Sequence, residues 1–183
     1  MSHPYVCPAE YSGSLDSFLR RMLHKPGRIL SPYVKEGMTV FDIGCGPGYF
    51  TVELSRLVGP DGKVVAADLQ QAMLDKMMEK VSSIGTAGNI EPHKCLNDSI
   101  GLNRKADFIL LFWMVHEVPD KVKFLTEIKT MLNPGGRVFI SEPKIHVRRK
   151  DFEEMTKILL SLGFTIHEQP SVAISRSLLA GLD

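Results

Sequence analysis

The sequence lacks an excess of charge of either sign. Its 22 lysines and arginines almost balance its 21 aspartates and glutamates, which leaves a formal net charge of +1. Binding to a nucleic acid usually relies on a basic field that attracts the phosphate backbone, so this composition disfavours such a partner. The two short basic clusters, within residues 20–28 and 148–150, are typical of solvated helix faces.

Long hydrophobic runs are also missing. The longest, Phe108–Val115, has the length of a buried strand and is much shorter than the roughly 18 residues that a membrane span needs. The N-terminal residues lack the basic opening and the apolar stretch of a secretory signal. We therefore expect no membrane span and a cytoplasmic location.

Cysteine is scarce. Cys7, Cys45 and Cys95 are widely spaced and form no Cys-x-x-Cys pair. This pattern predicts free, buried thiols, and it disfavours a zinc or redox site. We expect no metal site.

Apolar, β-branched runs alternate with segments of helical periodicity, and the runs read as continuously apolar. Strands of this kind are buried on both faces, which is typical of a parallel sheet covered by helices. The pattern predicts a Rossmann-like, doubly wound, mostly parallel seven-stranded sheet. The predicted strands of the core span Met38–Ile43, Lys63–Asp68, Ile90–Leu96, Ala106–Met114 and Arg137–Ser141. The predicted helices between them span Tyr49–Val58, Gln70–Ile84 and Asp120–Leu132.

The C-terminal part of the chain predicts a helix over Arg149–Leu162, followed by two weaker strands. These strands, Phe164–Glu168 and Val172–Ser177, flank Pro170 and Ser171, which favour a hairpin. We expect them to add an antiparallel edge to the sheet. Residues 133–136, Asn-Pro-Gly-Gly, predict a helix stop and a tight loop before the last core strand.

We expect a single domain over residues 1–183, with a helical segment over 1–34 and the core over 35–183. The first segment predicts two short helices, Leu15–Leu23 and Pro26–Tyr33. A ligand of an open α/β sheet lies outside the carboxyl ends of the strands. The segment is therefore expected either to cover that ligand as a lid or to pack on the sheet edge.

The most informative motif joins the first core strand to its helix. It reads Asp42-Ile43-Gly44-Cys45-Gly46-Pro47-Gly48-Tyr49. Glycines at this turn allow positive φ and let a ligand approach the backbone, while the helix offers free N–H groups. A dinucleotide fingerprint needs a third glycine where Tyr49 stands. The Asp42 carboxylate would also oppose a pyrophosphate, but it favours a ligand that carries an ammonium group.

On these residues the chain resembles the class I S-adenosylmethionine-dependent methyltransferases. Their first motif is matched by residues 42–48, and their second, an acidic residue at the end of the second strand, by Asp68. The resemblance implies that the loop wraps the amino acid end of S-adenosylmethionine and that Asp68 accepts hydrogen bonds from both ribose hydroxyls. The cofactor-binding set it implies is Asp42, Gly44, Cys45, Gly46, Gly48, Asp68, Leu69, Leu96, Asn97 and Phe112.

Residues 132–143 resemble the corresponding element of the small-molecule branch, which includes the ubiquinone and menaquinone methyltransferases. The resemblance implies methyl transfer by in-line displacement to a small-molecule acceptor, with S-adenosylhomocysteine as product. A base is needed only if the acceptor carries a proton that must leave first. His116 and Glu117, just past the fourth strand, are the candidate bases. Alternatively, His116 has a structural role and hydrogen-bonds to the backbone or to Glu117.

Other functions remain open at this point. An RNA or protein methyltransferase would need a basic surface around the cofactor mouth, which the net charge of +1 disfavours. A non-catalytic S-adenosylmethionine-binding module would keep the same loop. A dinucleotide oxidoreductase is disfavoured by Tyr49. The chain lacks the Asn or Asp-Pro-Pro-Tyr motif after the fourth strand, which argues against an adenine or amide nitrogen acceptor. We expect a monomer or a homodimer.

Overall fold

The computed structural model describes residues 24–85 and 87–182, and its strands form one seven-stranded sheet. In spatial order the sheet runs β3-β2-β1-β4-β5-β7-β6. Strands β1 to β5 are parallel, and β7 is antiparallel to both of its neighbours. The predicted Rossmann-like fold class is therefore confirmed. The strands are β1 (Thr39–Ile43), β2 (Lys63–Asp68), β3 (Ile90–Lys94), β4 (Ala106–Phe112), β5 (Leu132–Pro143), β6 (Thr165–Glu168) and β7 (Ser175–Gly181).

Helices cover both faces of the sheet. They are α1 (Pro26–Leu30), α2 (Thr51–Val58), α3 (Gln71–Ser83), α4 (Lys121–Thr130) and α5 (Arg149–Ser161). Two short 3-10 turns, Ala87–Asn89 and Val115–Glu117, lie between elements.

Side chains of the central strands contribute to two hydrophobic clusters, one on each face of the sheet. In β4, Ile109 and Leu111 join the cluster of α4 and α5, whereas Phe108 and Leu110 join the cluster of α1, α2 and α3. All four side chains are almost fully buried. This arrangement explains why the strand reads as continuously apolar.

Strand β5 differs from its prediction at both ends. Leu132 pairs with Ala106 and Arg137 pairs with Phe108, so residues 133–136 bulge out between two paired positions. The predicted Asn-Pro-Gly-Gly loop is thus an interruption within the strand, with Gly135 at φ 76°. At the other end β5 continues to Pro143, which places Glu142 at the carboxyl end of the strand.

The predicted antiparallel hairpin forms one edge of the sheet, with β6 outermost and β7 between β6 and β5. Strand β7 begins three residues later than predicted and extends to Gly181. Ile174, at φ 53°, cannot continue an extended strand. Leu178 and Leu179 pair with the centre of β5 and supply the buried apolar surface that fixes the register.

The predicted first helix, Leu15–Leu23, lies outside the described residues. The second is shorter than predicted and ends at Leu30. None of the helices in the described part of the chain is long and apolar enough to cross a membrane.

Candidate functional site

A cavity of about 510 Å³ opens at the carboxyl ends of the parallel strands, where open α/β sheets bind their ligands. Most of the predicted site residues line it. These are Asp42, Gly44, Cys45, Gly46, Asp68, Leu69, Leu96, Asn97, Phe112 and Glu117. Two predicted site residues, Gly48 and His116, lie outside the lining.

The three loop glycines all adopt positive φ, at 73° for Gly44, 53° for Gly46 and 79° for Gly48. A Cβ on Gly44 would lie 2.9 Å from the Met114 side chain, and one on Gly48 would lie 2.5 Å from Cγ of Met77. A Cβ on Gly46 would meet no heavy atom of the described chain within 4 Å. Gly46 therefore presents open backbone to the cavity, while Gly48 allows helix α3 to pack closely.

Asp68 ends β2 and is only 8% exposed. Its Oδ2 accepts a hydrogen bond from the backbone N–H of Gly46 at 2.9 Å, and its Oδ1 accepts one from Gln70 at 2.8 Å. Burial raises the pKa of Asp68, against the lowering effect of these N–H donors and of Lys94. A carboxylate has about four acceptor positions, so Asp68 retains acceptor capacity for a ligand hydroxyl in the cavity.

Asp42 is a second buried carboxylate at the same edge, 3% exposed. Its Oδ2 accepts a hydrogen bond from Oγ1 of Thr51 at 2.6 Å. Thr51 begins α2, so this bond ties the end of β1 to the first turn of the helix. The loop between them is thereby held at both ends.

Both cysteines at the cavity have raised pKa values, which favours the thiol over the thiolate. Burial raises the pKa of Cys45 well above its ordinary value, and the charges of Asp42 and Asp68 raise it further. Burial and the charge of Asp68 raise the pKa of Cys95 to about 12. Both are free cysteines, as predicted, although Cys95 is only partly buried; Cys7 lies outside the described residues.

Strand β4 ends at Phe112, two residues earlier than predicted, because Trp113 takes a left-handed conformation at φ 60°. Such a conformation costs a bulky residue of order 1–3 kcal/mol and needs support from its surroundings. The backbone N–H of Trp113 donates to the carbonyl of Ser141 at 2.7 Å, and its Nε1 donates to Oγ of Ser175 at 2.9 Å. Trp113 and Phe112 both line the cavity, and their rings stack at a centroid distance of 5.7 Å.

The 3-10 turn Val115–Glu117 begins two residues after Trp113. Glu117 lines the cavity, whereas Nδ1 of His116 lies 2.5 Å from Oε2 of Glu142, and its ring stacks on His146 at a centroid distance of 5.8 Å. The turn therefore presents its two predicted bases to different surroundings.

Residues 34–174 match the model of a methyltransferase domain family. The chain belongs to this family. It is 34% identical over 141 residues to the ubiquinone/menaquinone biosynthesis C-methyltransferase UbiE of Escherichia coli. That match covers 76% of this chain but only 56% of UbiE, so the chain spans little more than half the length of this relative.

Solved structures extend the comparison. A SAM-dependent methyltransferase from Aquifex aeolicus is 31% identical, with a TM-score of 0.85 over 96% of this chain and 98% of that one. A putative S-adenosyl-L-methionine-dependent methyltransferase from Methanococcus maripaludis has a TM-score of 0.80 at 15% identity, over 95% and 91% of the two chains. The second likeness shows the fold alone. Membership of the predicted family, the S-adenosylmethionine-dependent methyltransferases, is confirmed.

Sequence reasoning did not single out Glu142, a carboxylate outside the cavity lining that holds the turn carrying His116 and Glu117. It is 1% exposed and accepts hydrogen bonds from both Val115 and His116. The available signal was a carboxylate at the end of an apolar strand, the same signal that singled out Asp42 and Asp68. The roles of the individual predicted residues in binding and catalysis stay predictions.

Proposed function

We propose that this methyltransferase transfers the methyl group of S-adenosylmethionine to a small-molecule acceptor at the carboxyl edge of its sheet. The observation that carries the proposal is the position of Asp68. This buried carboxylate at the end of β2 faces a cavity and is fixed by the N–H groups of Gly46 and Gln70. Adjacent hydroxyls of a ribose match its remaining acceptor sites.

The other residues at this edge also fit S-adenosylmethionine. The open backbone at Gly46 would let the cofactor lie against the loop, and the buried Asp42 would favour its ammonium group. When bound, S-adenosylmethionine supplies a methyl group that is already activated by the positive charge on its sulfur.

The chain's own task is then to orient the acceptor and exclude water, a proximity effect that can contribute about 7 to 11 kcal/mol. Trp113 and Phe112 give the cavity aromatic walls for this purpose. Where the acceptor must lose a proton, Glu117 is the candidate base that faces the cavity. His116 instead pairs with Glu142.

A small acceptor is favoured by the size of the cavity, which lies within the range of about 300 to 1,000 Å³ typical of small-molecule sites. The balanced charge of the chain gives no support for an RNA partner. UbiE is named for a C-methyl transfer in ubiquinone and menaquinone biosynthesis. Small molecules with a quinol or phenol ring are therefore the acceptors to assay first.

Cofactor binding is tested by calorimetry with Asp68→Asn. Because the amide presents one acceptor oxygen instead of two, we expect the Kd for S-adenosylmethionine to rise at least roughly tenfold. Asp75→Asn is the matched control, since Asp75 is an exposed carboxylate on α3. Equal affinities for wild type and Asp68→Asn would overturn the assigned ribose contact.

Acceptor class is tested by transfer of a radiolabelled methyl group from S-adenosylmethionine to three pools: small quinols and phenols, ribosomal RNA, and total protein. We expect label in the small-molecule pool that depends on active protein. Label in RNA or protein alone would replace the proposal with its macromolecular alternative. Cofactor binding without label in any pool would favour a non-catalytic module.

A further inference from the structure

Glu142 is a buried carboxylate that lies outside the cavity lining. Its Oε1 accepts a hydrogen bond from the backbone N–H of Val115 at 2.8 Å, and its Oε2 lies 2.5 Å from Nδ1 of His116. The residue is 1% exposed and lies on β5, 26 positions along the chain from His116. One carboxylate thus holds two consecutive residues of another segment.

The segment that it holds follows the left-handed break at Trp113. The ladder between β4 and β5 ends there with the bond from Trp113 N–H to Ser141, and the Glu142 side chain takes the next N–H that points toward β5. Beyond Val115 the turn closes through the bond from Glu117 N–H to the carbonyl of Met114 at 3.0 Å. Glu142 therefore fixes the first residue of the turn that carries Glu117 into the cavity.

We propose that Glu142 and His116 form a positioning pair that fixes the turn Val115–Glu117 and thereby sets where Glu117 meets the acceptor. The inference rests on the proposed function for the identity of the reaction, but the pair itself is defined by contacts within the protein. In this arrangement the carboxylate and the imidazole act through the turn and do not touch the acceptor.

Charged groups from several elements face His116. They are Glu142 on β5, Glu117 on its own turn and Lys121 at the start of α4. The ring of His146, beyond β5, stacks on the imidazole. Burial and the charge of Lys121 lower the pKa of His116, but the hydrogen bond and charge of Glu142, with the charge of Glu117, raise it above its ordinary value. The ion pair is complete below this raised pKa and is lost as the pH rises through it.

The first test is Glu142→Gln, which keeps an oxygen for Val115 but removes the charge that faces His116. We expect the acceptor kcat/KM to fall at least roughly tenfold, because small displacements of a reacting group are costly. The Kd for S-adenosylmethionine should stay within about twofold of the wild-type value, because Asp68 and the glycine loop are left intact. The alkaline limb of the pH profile should move to lower pH as the pKa of His116 falls.

Asp107→Asn is the matched control. Asp107 is also a carboxylate that accepts two N–H donors, from Thr39 at 2.9 Å and from Asn133 at 2.7 Å, but it lies at the opposite end of β4. We expect this variant to lose stability while keeping its acceptor KM and its pH profile. A purely structural role for Glu142 predicts the same behaviour for both variants, and that result would overturn the proposal.

Two variants of His116 test the positioning pair independently, in case Glu142→Gln folds poorly. His116→Asn retains an N–H near the position of Nδ1, whereas His116→Ala does not. The Asn variant should keep several times more activity than the Ala variant at equal folded fraction. Equal activity of the two would count against the pair.

A readout that needs no turnover separates this inference from the proposed function. In wild type with S-adenosylhomocysteine, amide exchange at residues 113–118 should be slow, and Glu142→Gln should accelerate it there without affecting β1. If wild type bound no cofactor or methylated none of the pools, the proposed function would fail, whereas unchanged exchange at 113–118 would overturn the positioning pair.

Discussion

At the scale of single residues, the loop glycines separate cofactor binding from folding. Gly46→Ala places a methyl group toward the cavity, where the described chain has no atom within 4 Å. Left-handed backbone costs alanine about 1 to 2 kcal/mol. We therefore expect a modest loss of stability but at least roughly tenfold weaker binding of S-adenosylmethionine, since the added methyl group occupies the approach to the loop.

Gly48→Ala is the contrasting variant. Its methyl group would lie 2.5 Å from Cγ of Met77, a fully buried side chain of α3. Overpacking and left-handed strain together should lower the free energy of unfolding by about 2 to 4 kcal/mol. Urea denaturation and calorimetry measure the two effects. If Gly46→Ala and Gly48→Ala changed the free energy of unfolding and the Kd for S-adenosylmethionine in the same proportion, the two glycines would not have the separate roles assigned to them.

Single residues also show where sequence reasoning stops. The glycine loop and Asp68 were predictable because local chemistry fixes them: a strand, a tight turn and a carboxylate at a strand end. Which of His116 and Glu117 faces the cavity was not, because it depends on the left-handed Trp113 and on Glu142, which is 26 residues away from His116. No local pattern encodes that contact.

At the scale of elements, the first two core strands were predicted almost to their ends: β1 begins one residue later than expected, and β2 spans Lys63–Asp68 as expected. The C-terminal hairpin was harder. The register of β7 is set by Leu178 and Leu179, which pair with β5. The predicted strand start at Val172 was wrong because Ile174 is left-handed. The bounds of β7 are therefore set by its pairing with β5, which is distant in sequence.

Strand β3 lies at one edge of the sheet and carries an ion-pair network that gives a pH-dependent prediction. Glu91 lies 2.6 Å from Nζ of Lys63 on β2 and accepts a hydrogen bond from Nη1 of Arg104 at 3.0 Å. The hydrogen bonds of Arg104 and Lys63 lower the pKa of Glu91 from 4.5 to about 2. Because the folded pKa is lowered, the contribution is fully present above pH 4.5 and is lost as the pH falls toward 2.

Glu91→Gln should therefore reduce the free energy of unfolding at pH 7, but by no more than about 1 kcal/mol, because all three side chains are at least a third exposed. The difference from wild type should shrink in 1 M salt, which screens exposed charges. Denaturation curves at low and high salt measure it, with Glu154→Gln on α5 as an exposed control. A salt-independent loss would assign Glu91 a packing role instead.

At the scale of the whole molecule, the sheet sets the order of the site. Parallel β1, β2 and β4 bring Asp42, Asp68 and Phe112 to one edge, and β5 brings Glu142 beside them. Residues that are far apart in sequence thus converge because their strands share a direction. Asp107, at the other end of β4, joins Thr39 and Asn133 and does not line the cavity.

The different roles of the cavity residues and of Asp107 can be tested by the shift in melting temperature that a ligand produces. A ligand at one hundred times its Kd stabilises the folded state by about 2.7 kcal/mol, or roughly 5 to 10 °C in melting temperature for a chain of this size. We expect S-adenosylhomocysteine to produce such a shift in wild type and in Glu142→Gln. At the same ligand concentration a tenfold higher Kd leaves about 1.4 kcal/mol of this stabilisation, so Asp68→Asn should show about half of the wild-type shift or less.

Asp107→Asn supplies the control for this comparison. It should melt at a lower temperature without ligand, because Thr39 and Asn133 lose part of a shared acceptor, yet keep the full shift on adding S-adenosylhomocysteine. Scanning fluorimetry over a ligand titration gives both quantities. An undiminished shift in Asp68→Asn would place the nucleoside elsewhere, and a lost shift in Glu142→Gln would make that residue part of cofactor binding.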